Sequence, residues 1–198
     1  MPDNNTIKIG GVQFNKADVK SSEVIVKDGK KVNSVFLQDG THVEFPTQSE
    51  GNQSSITQGN RVYSKPTYKY GYNIKTGEHD YHLTYETKED SSKKVTSFNR
   101  MTGAKITGTE NEDTYNLNGC KNSEVDLSQK DGKSDRVYEH TSHTGSLFGG
   151  KDWEHGNNTY KLGESDVADV AGDESKLSLE KHKHYKGEGL FKSDGCKY

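Results

Sequence analysis

Short runs of β-branched and aromatic residues, separated by polar turns, recur along the chain. In the first 45 residues, Val-Ile-Val at 24–26 and Val-Phe-Leu at 35–37 are each followed closely by an Asp-Gly pair. Asp-Gly between β-branched runs is a strong turn signal, because glycine adopts a positive φ at little steric cost. Helical periodicity is nearly absent, and Gly172 interrupts the one candidate helix, residues 167–179, for which we predict strands instead. The pattern predicts an all-β fold.

Two stretches in the second half of the chain resemble each other at a spacing of roughly 40 residues. Thr-Tyr-Asn-Leu at 114–117 returns as Thr-Tyr-Lys-Leu at 159–162, and Ser-Glu-Val at 123–125 returns as Ser-Asp-Val at 165–167. Stacked repeats of short strands bury their inward side chains as one continuous column. We therefore predict that the copies are equivalent rungs of a β-solenoid or β-helix-like domain, with an antiparallel hairpin region towards the N-terminus. A β-sandwich or a meander is the alternative.

Composition divides the chain into four predicted segments. They are an N-terminal β repeat or meander (1–45), a polar loop or linker rich in Ser, Gln and Gly (46–60), a Tyr-rich β-hairpin region (61–102) and the repeat-containing β-solenoid region (103–198). Within the third segment, Tyr68, Tyr70 and Tyr72 alternate along the chain, so on a strand they share one face. Such a tyrosine row either fills a thin core or binds a sugar or a protein, because it combines apolar rings with hydroxyl groups.

The overall composition narrows the class of protein. Only 27% of the residues are hydrophobic and mean hydropathy is -1.08, which suits either partial disorder or a thin core. Eleven tyrosines and six phenylalanines favour the thin core. The net charge is only -3 with both signs interspersed, so we expect no nucleic-acid partner. The sequence contains no apolar run of about 18 residues, so we predict no helix that spans a membrane.

The stretch Gly-Thr-Glu-Asn-Glu-Asp-Thr-Tyr at 108–115 partly resembles the calcium-binding nonapeptide of RTX proteins. Its Gly, Asp and large apolar residue fall at compatible places, although the other glycines are missing, and Asp135 precedes Val137 at the same offset. The resemblance implies calcium as a candidate ligand, with Glu110, Asp113 and Asp135 among the hard oxygen donors that this ion prefers. Solvated turn carboxylates are the alternative interpretation.

Three further residues are candidates for binding. On a strand, His182 and His184 would point to one face, where their two imidazoles could hold a metal ion. A firm zinc site needs three or four ligands. The alternative is a polar face that is rich in histidine. Trp153, the single tryptophan, lies between the two copies and is a candidate contact residue or an inter-repeat wedge.

Cys120 and Cys196 occupy similar Gly-Cys-Lys contexts, and they are either two free thiols or a disulfide.

No nucleophile elbow, phosphate-binding loop or dinucleotide fingerprint is present in the sequence. We therefore predict a non-catalytic, adhesin-like binding protein or scaffold that acts through its surface on a protein or glycan partner. The alternative is a β-helical carbohydrate-active enzyme that uses clustered acids with Arg136, which follows Asp135. No secretory signal is visible, so the chain is cytosolic, had a signal removed or is exported by another route; the scaffold hypothesis favours a secreted, surface-attached or virion-associated location.

Overall fold

The computed structural model describes residues 5–49, 51, 53–73, 78–140, 142–143, 153–154, 156–171 and 183–193. Only the backbone is described for residues 61–73, 78–88, 140, 142–143, 153–154, 171 and 183. Within these ranges the fold is all-β, as predicted, with nineteen strands, one 3-10 turn and no α-helix.

The strand bounds show how short most of the elements are. The first nine are β1 (Thr6–Ile9), β2 (Val12–Asn15), β3 (Val19–Lys27), β4 (Lys30–Leu37), β5 (His42–Phe45), β6 (Ser55–Gly59), β7 (Arg61–Asn73), β8 (Glu78–Glu89) and β9 (Val95–Asn99). The other ten are β10 (Lys105–Thr107), β11 (Thr114–Asn118), β12 (Glu124–Asp126), β13 (Arg136–His140), β14 (Ser142–His143), β15 (Trp153–Glu154), β16 (Thr159–Leu162), β17 (Val167–Ala171), β18 (Lys183–Lys186) and β19 (Gly189–Lys192).

Two mixed sheets contain most of the strands. The eight-stranded sheet has the order β1-β2-β6-β9-β11-β13-β17-β18, and the seven-stranded sheet has the order β19-β16-β12-β10-β5-β4-β3. Strands β7 and β8 pair with each other as the predicted antiparallel hairpin of the Tyr-rich segment, with Tyr70 opposite Tyr81. Strands β14 and β15 form a further two-stranded antiparallel sheet.

From β9 to β13, successive strands alternate between the two sheets. Each pairs in parallel with the strand two positions further on: β9 with β11, β10 with β12, and β11 with β13. After β14 and β15 the parallel pairing resumes, as β12 pairs with β16 and β13 with β17. A strand of three residues is stable in this arrangement only because neighbours on both sides bond its backbone.

We predicted that the two similar stretches, which are spaced by roughly 40 residues, are equivalent rungs. This prediction is wrong, because the two stretches lie in different sheets. Strand β11, with Tyr115, belongs to the eight-stranded sheet, whereas β16, with Tyr160, belongs to the seven-stranded sheet. Residues in neighbouring parallel strands are instead 19 or 22 positions apart at the first steps, as between Asn99 and Asn118. The copies mislead because both sheets pack inward on the same core, so one Tyr-x-Leu pattern suits a strand of either sheet.

A single hydrophobic cluster lies between the two sheets, and it includes both Tyr115 and Tyr160. In the seven-stranded sheet its register row consists of Val35, Val43, Ile106, Val125 and Tyr160. In the eight-stranded sheet the corresponding row consists of Phe14, Ile56, Phe98 and Leu117. The predicted segments 1–45 and 103–198 therefore contribute to one core.

Part of the predicted polar loop at 46–60 is a strand. Residues 55–59 form β6, which lies between β2 and β9 in the eight-stranded sheet. Its one apolar side chain, Ile56, is buried opposite Phe14 and Phe98. One inward residue is enough here because the strands on both sides supply the remaining apolar surface and the backbone hydrogen bonds.

One carboxylate projects into the core. Glu139 lies in register between Leu117 and Val170, and it is only 1% exposed. Its Oε1 accepts a hydrogen bond from the backbone N–H of Gly156 at 2.9 Å, and its Oε2 accepts one from the hydroxyl of Tyr160. A buried carboxylate is tolerated when its oxygens are satisfied in this way. Glu139 thus joins the end of β13 to the segment that begins β16.

Antiparallel strands flank the parallel runs at both ends. In the eight-stranded sheet β6 and β18 pair antiparallel with β9 and β17, and in the seven-stranded sheet β5 and β19 do so with β10 and β16. The seven-stranded sheet ends at β3, where Val24 and Val26 are 64% and 69% exposed.

The shared core predicts that substitutions at two adjacent residues of β10 change the free energy of unfolding by very different amounts. Ile106 is fully buried, whereas the neighbouring Lys105 side chain is exposed and only 3.9 Å from Glu124. We expect Ile106→Ala to lower the free energy of unfolding by about 2–5 kcal/mol, because it leaves a cavity between the sheets. Lys105→Ala is the matched control and should cost less than about 1 kcal/mol. Urea unfolding followed by circular dichroism measures both, and equal effects would contradict the shared core.

Candidate functional site

The outer face of the eight-stranded sheet has a row of uncharged polar side chains on four neighbouring strands. Gln13, Ser55, Asn99 and Asn118 are register partners across β2, β6, β9 and β11. The Nδ2 of Asn99 donates to the Oγ of Ser55 at 3.0 Å, and the Nδ2 of Asn118 donates to the Oδ1 of Asn99 at 2.8 Å. We call these four residues the polar row. These hydrogen bonds fix the side chains of Ser55, Asn99 and Asn118 relative to one another.

A cleft of about 360 Å³ adjoins the polar row at the β2 end. The polar residues that line it are Lys8, Gln13, Asn15, Gln53, Ser54, Ser55 and Thr57. Arg100 extends towards it, because its Nη1 donates to the Oε1 of Gln53 at 3.4 Å. The cleft therefore combines amide, hydroxyl and cationic groups, a mixture suited to hydrogen-bonding ligands.

The outer face of the seven-stranded sheet is charged instead. Lys27 contacts Glu44 at 2.5 Å, and on the adjacent part of the face Lys161 contacts Asp126 at 3.1 Å. Lys161 and Asp126 lie on neighbouring strands, whereas Lys27 reaches Glu44 across β4. Such pairs of opposite charge stabilise a sheet modestly and keep its face hydrated. Both outer faces thus carry ion pairs, but the eight-stranded sheet also presents the uncharged polar row, on other strands than its Asp169–His184 pair on β17 and β18.

Three buried aspartates stand at the corners where the chain enters β11, β13 and β17. The backbone N–H of Asp113 donates to the Oδ1 of Asp135 at 2.8 Å, and the backbone N–H of Asp135 donates to the Oδ1 of Asp166 at 3.1 Å. We call these three residues the aspartate ladder. It continues the hydrogen bonding between parallel strands into the turns, where side chains replace the backbone acceptors.

Two members of the aspartate ladder also fix their own turns. The backbone N–H of Thr109 donates to the Oδ2 of Asp113, and that of Gly163 donates to the Oδ2 of Asp166, both at 2.5 Å. Burial nevertheless raises the pKa of Asp113 above its ordinary value. Burial, helped by the negative charges of Asp113, Asp166 and Asp131, raises the pKa of Asp135 to about 7.

The predicted metal ligands occupy different environments. Asp113 and Asp135 are buried in the aspartate ladder, whereas Glu110 is exposed in the turn before Asp113. The Nδ1 of His184 lies 2.5 Å from the Oδ1 of Asp169, and His182 lies outside the described residues. Across the described part of the chain, no three His, Cys, Asp or Glu side chains form a group that could hold a metal. Metal binding by the predicted set stays a prediction.

The predicted aromatic ligand residues lie on paired strands. Tyr68, Tyr70 and Tyr72 are in β7, opposite Leu83, Tyr81 and His79 of β8. Trp153 is in β15, opposite His143. Their side chains fall outside the described part of the structure, so their role in ligand binding stays a prediction.

Sequence reasoning missed the polar row. Asn99 and Asn118 are 19 residues apart, which is the offset between neighbouring parallel strands, so a search at that spacing would have aligned them. It also missed Asp166, although this residue immediately precedes β17 as Asp113 and Asp135 precede β11 and β13. A search at one fixed spacing would not have aligned the aspartate ladder, because the spacing between its successive members changes from 22 to 31 residues.

Comparison of the chain with protein-family models, with curated proteins and with solved structures finds no significant match. Among the described residues, no helical segment has the length and apolar character needed to cross a bilayer.

The aspartate ladder predicts that Asp166 stabilises the fold through two acceptor oxygens. Asp166→Ala leaves the N–H groups of Asp135 and Gly163 without their acceptors, and we expect it to lower the free energy of unfolding by about 1–3 kcal/mol. Asp166→Asn keeps one acceptor and should cost less. Glu164→Ala, an exposed position in the same turn, is the control for loss of charge. Urea unfolding that ranks Glu164→Ala equal to Asp166→Ala would contradict this role.

Burial also predicts an unreactive thiol at Cys120. Its Sγ donates to the backbone oxygen of Phe98 at 3.2 Å, and burial raises its pKa to about 12. In a Cys196→Ser variant, we expect Cys120 to react with a disulfide reagent at neutral pH only as fast as the protein opens, because the thiolate is the reactive form. Addition of urea should make the reaction rapid. Fast reaction of the folded variant would show that the thiol is accessible.

Proposed function

We propose that this protein is a non-catalytic binding scaffold that holds a glycan on the outer face of its eight-stranded sheet. The observation that carries the proposal is the polar row with its adjoining cleft. Amides and hydroxyls both donate and accept hydrogen bonds, as sugar hydroxyls do. Neighbouring strands are about 4.8 Å apart, so the row offers regularly spaced partners to a polymer with repeating hydroxyl groups.

A glycan fits this face better than a protein partner does. Protein interfaces depend on a few large apolar or aromatic anchors surrounded by polar contacts. In the described part of the chain, the exposed large hydrophobic residues are Ile7, Val24, Val26, Phe36 and Leu190. None of them belongs to the polar row. Hydrogen bonding without apolar anchors therefore favours a carbohydrate as the ligand of this face.

The proposal includes a β-solenoid as the supporting scaffold. Its support is the strict alternation of β9 to β13 between the sheets, with parallel partners on both sides of β11. Such stacking would hold Asn99 and Asn118 at a fixed spacing and orientation. A scaffold of this kind suits a protein that acts as part of a secreted, surface-attached or virion-associated structure.

The residues of the alternative enzyme hypothesis have structural partners. Asp135 is fully buried in the aspartate ladder, which leaves its carboxylate inaccessible to a polysaccharide. The Nη1 of Arg136 donates to the hydroxyl of Tyr138 at 3.3 Å, and its guanidinium carbon lies 5.9 Å from the centre of that ring. These contacts give no support to acid–base chemistry by this pair.

Glycan-array screening of the full chain, followed by calorimetry on the glycans that bind, tests the proposal. We expect Gln13→Ala combined with Asn99→Ala to weaken binding by about tenfold or more, since each lost hydrogen bond costs about 1 kcal/mol. Lys105→Ala with Lys161→Ala, on the other outer face, is the matched control and should bind as the unchanged protein does. Thermal unfolding of each variant verifies that the fold is retained.

Three outcomes would contradict the proposal. They are the absence of any bound glycan, equal binding by the two double variants, and shortening of a bound polysaccharide that is lost in an Asp135→Ala, Arg136→Ala variant. The last result would establish the enzyme hypothesis instead. Capture of a protein through the polar row, without glycan binding, would assign this face to a protein partner.

A further inference from the structure

The middle member of the aspartate ladder differs from its neighbours. Asp113 and Asp166 each receive a backbone N–H of their own turn at Oδ2, from Thr109 and Gly163. The Oδ2 of Asp135 is buried and has no hydrogen-bond partner. Its turn is the longest of the three, with residues 127–135 between β12 and β13 against 108–113 and 163–166 at the other corners. The donor found at the other corners is missing here.

The longer turn contributes acceptors instead of a donor. The Oε1 of Gln129 and the Oδ2 of Asp131 are likewise buried and without a partner. Among the described residues, five buried side-chain atoms have no hydrogen-bond partner. Three of these five belong to residues 129–135, and all three are oxygens. Several unpaired acceptors in one turn are costly unless a positively charged group or water lies between them.

The surrounding geometry places these oxygens close to the aspartate ladder. A Cβ built on Gly108 would lie 3.2 Å from the Oε1 of Gln129 and 2.9 Å from the Oδ2 of Asp113, so the amide reaches the neighbouring corner. Asp131 lies close enough for its charge to act on Asp135. The other oxygen of Asp131, Oδ1, accepts the backbone N–H of Lys133 at 2.7 Å, which fixes the side chain.

We propose that the turn at residues 127–135 binds a calcium ion through the side-chain oxygens of Gln129, Asp131 and Asp135. Calcium is bound by carboxylate and amide oxygens in irregular geometry and accepts water as its remaining ligands. A cleft of about 250 Å³, lined by residues 128–133, 163–166 and Glu188, opens on the side of the turn that carries Gln129 and Asp131 and has room for those waters. Lys130 and Lys133 also line the cleft, and they limit its net negative charge.

This site differs from the one that the sequence predicted. The exposed Glu110 takes no part in it, and both carboxylate oxygens of Asp113 accept hydrogen bonds from Thr109. Only two of the three proposed protein ligands are carboxylates, which is consistent with the absence of a three-carboxylate group among the described residues. The inference does not depend on glycan binding, because the turn lies apart from the polar row.

Calorimetry and thermal unfolding of the full chain, freed of metal with a chelator and titrated with calcium chloride, test the inference. We expect one calcium ion to bind and to raise the melting temperature, because it binds the folded state. Asp131→Asn keeps the oxygen that Lys133 uses, so the fold is retained, and it should weaken calcium binding by at least about tenfold, as loss of a charged ligand does. Glu110→Gln is the matched control and should bind calcium unchanged.

Each contrary result has a definite meaning. Absence of calcium binding, or equal affinity in Asp131→Asn and the unchanged protein, would overturn the proposal. If calcium has no effect while Asp135→Asn raises the melting temperature, a proton on Asp135 rather than a metal ion satisfies the turn. Loss of affinity in Glu110→Gln alone would return the site to the exposed turn that the sequence indicated. If a glycan still binds to every variant, failure of the calcium site leaves the proposed function standing.

Discussion

Backbone hydrogen bonding between neighbouring short strands is the constraint on which the rest of this structure depends. Strands β10 and β12 have three residues each, and each places one side chain, Ile106 or Val125, into the core. One buried side chain offsets only a small part of the entropy lost when three residues become ordered. Each strand is therefore stable through the two strands that flank it, and the core forms only when several strands are paired.

The corners extend this dependence beyond the strands. At Asp113 and Asp135, a carboxylate of the following turn accepts the backbone N–H that no strand partner reaches. The turn is therefore ordered by the same stacking that orders the sheet. Where a longer turn interrupts the pattern, as before Asp135, unpaired acceptors accumulate. Regular stacking and local irregularity thus arise from the same requirement that buried polar groups be satisfied.

The sequence predicted local features better than long-range ones. Asp28 and Gly29 both adopt positive φ in the turn between β3 and β4, as their identities indicated, and the alternating tyrosines do form the long strand β7. Register was predicted wrongly because Tyr115 and Tyr160 satisfy the same inward requirement in different sheets. Strand β6 was missed because its lone Ile56 gives no periodicity of its own. The calcium-like motif identified carboxylates, but not that the backbone N–H and the hydroxyl of Thr109 already donate to the two oxygens of Asp113.

The antiparallel strands at both ends of the parallel runs limit the extent of the parallel pairing. A parallel stack of short rungs can in principle continue indefinitely, since each rung offers the next the same surface. Here β5 and β6 close one end and β18 and β19 close the other in the opposite chain direction. The two edge strands β18 and β19 therefore present the opposite chain direction to a second molecule. A strand added at either edge would pair with a reversed strand and so would not extend the parallel run.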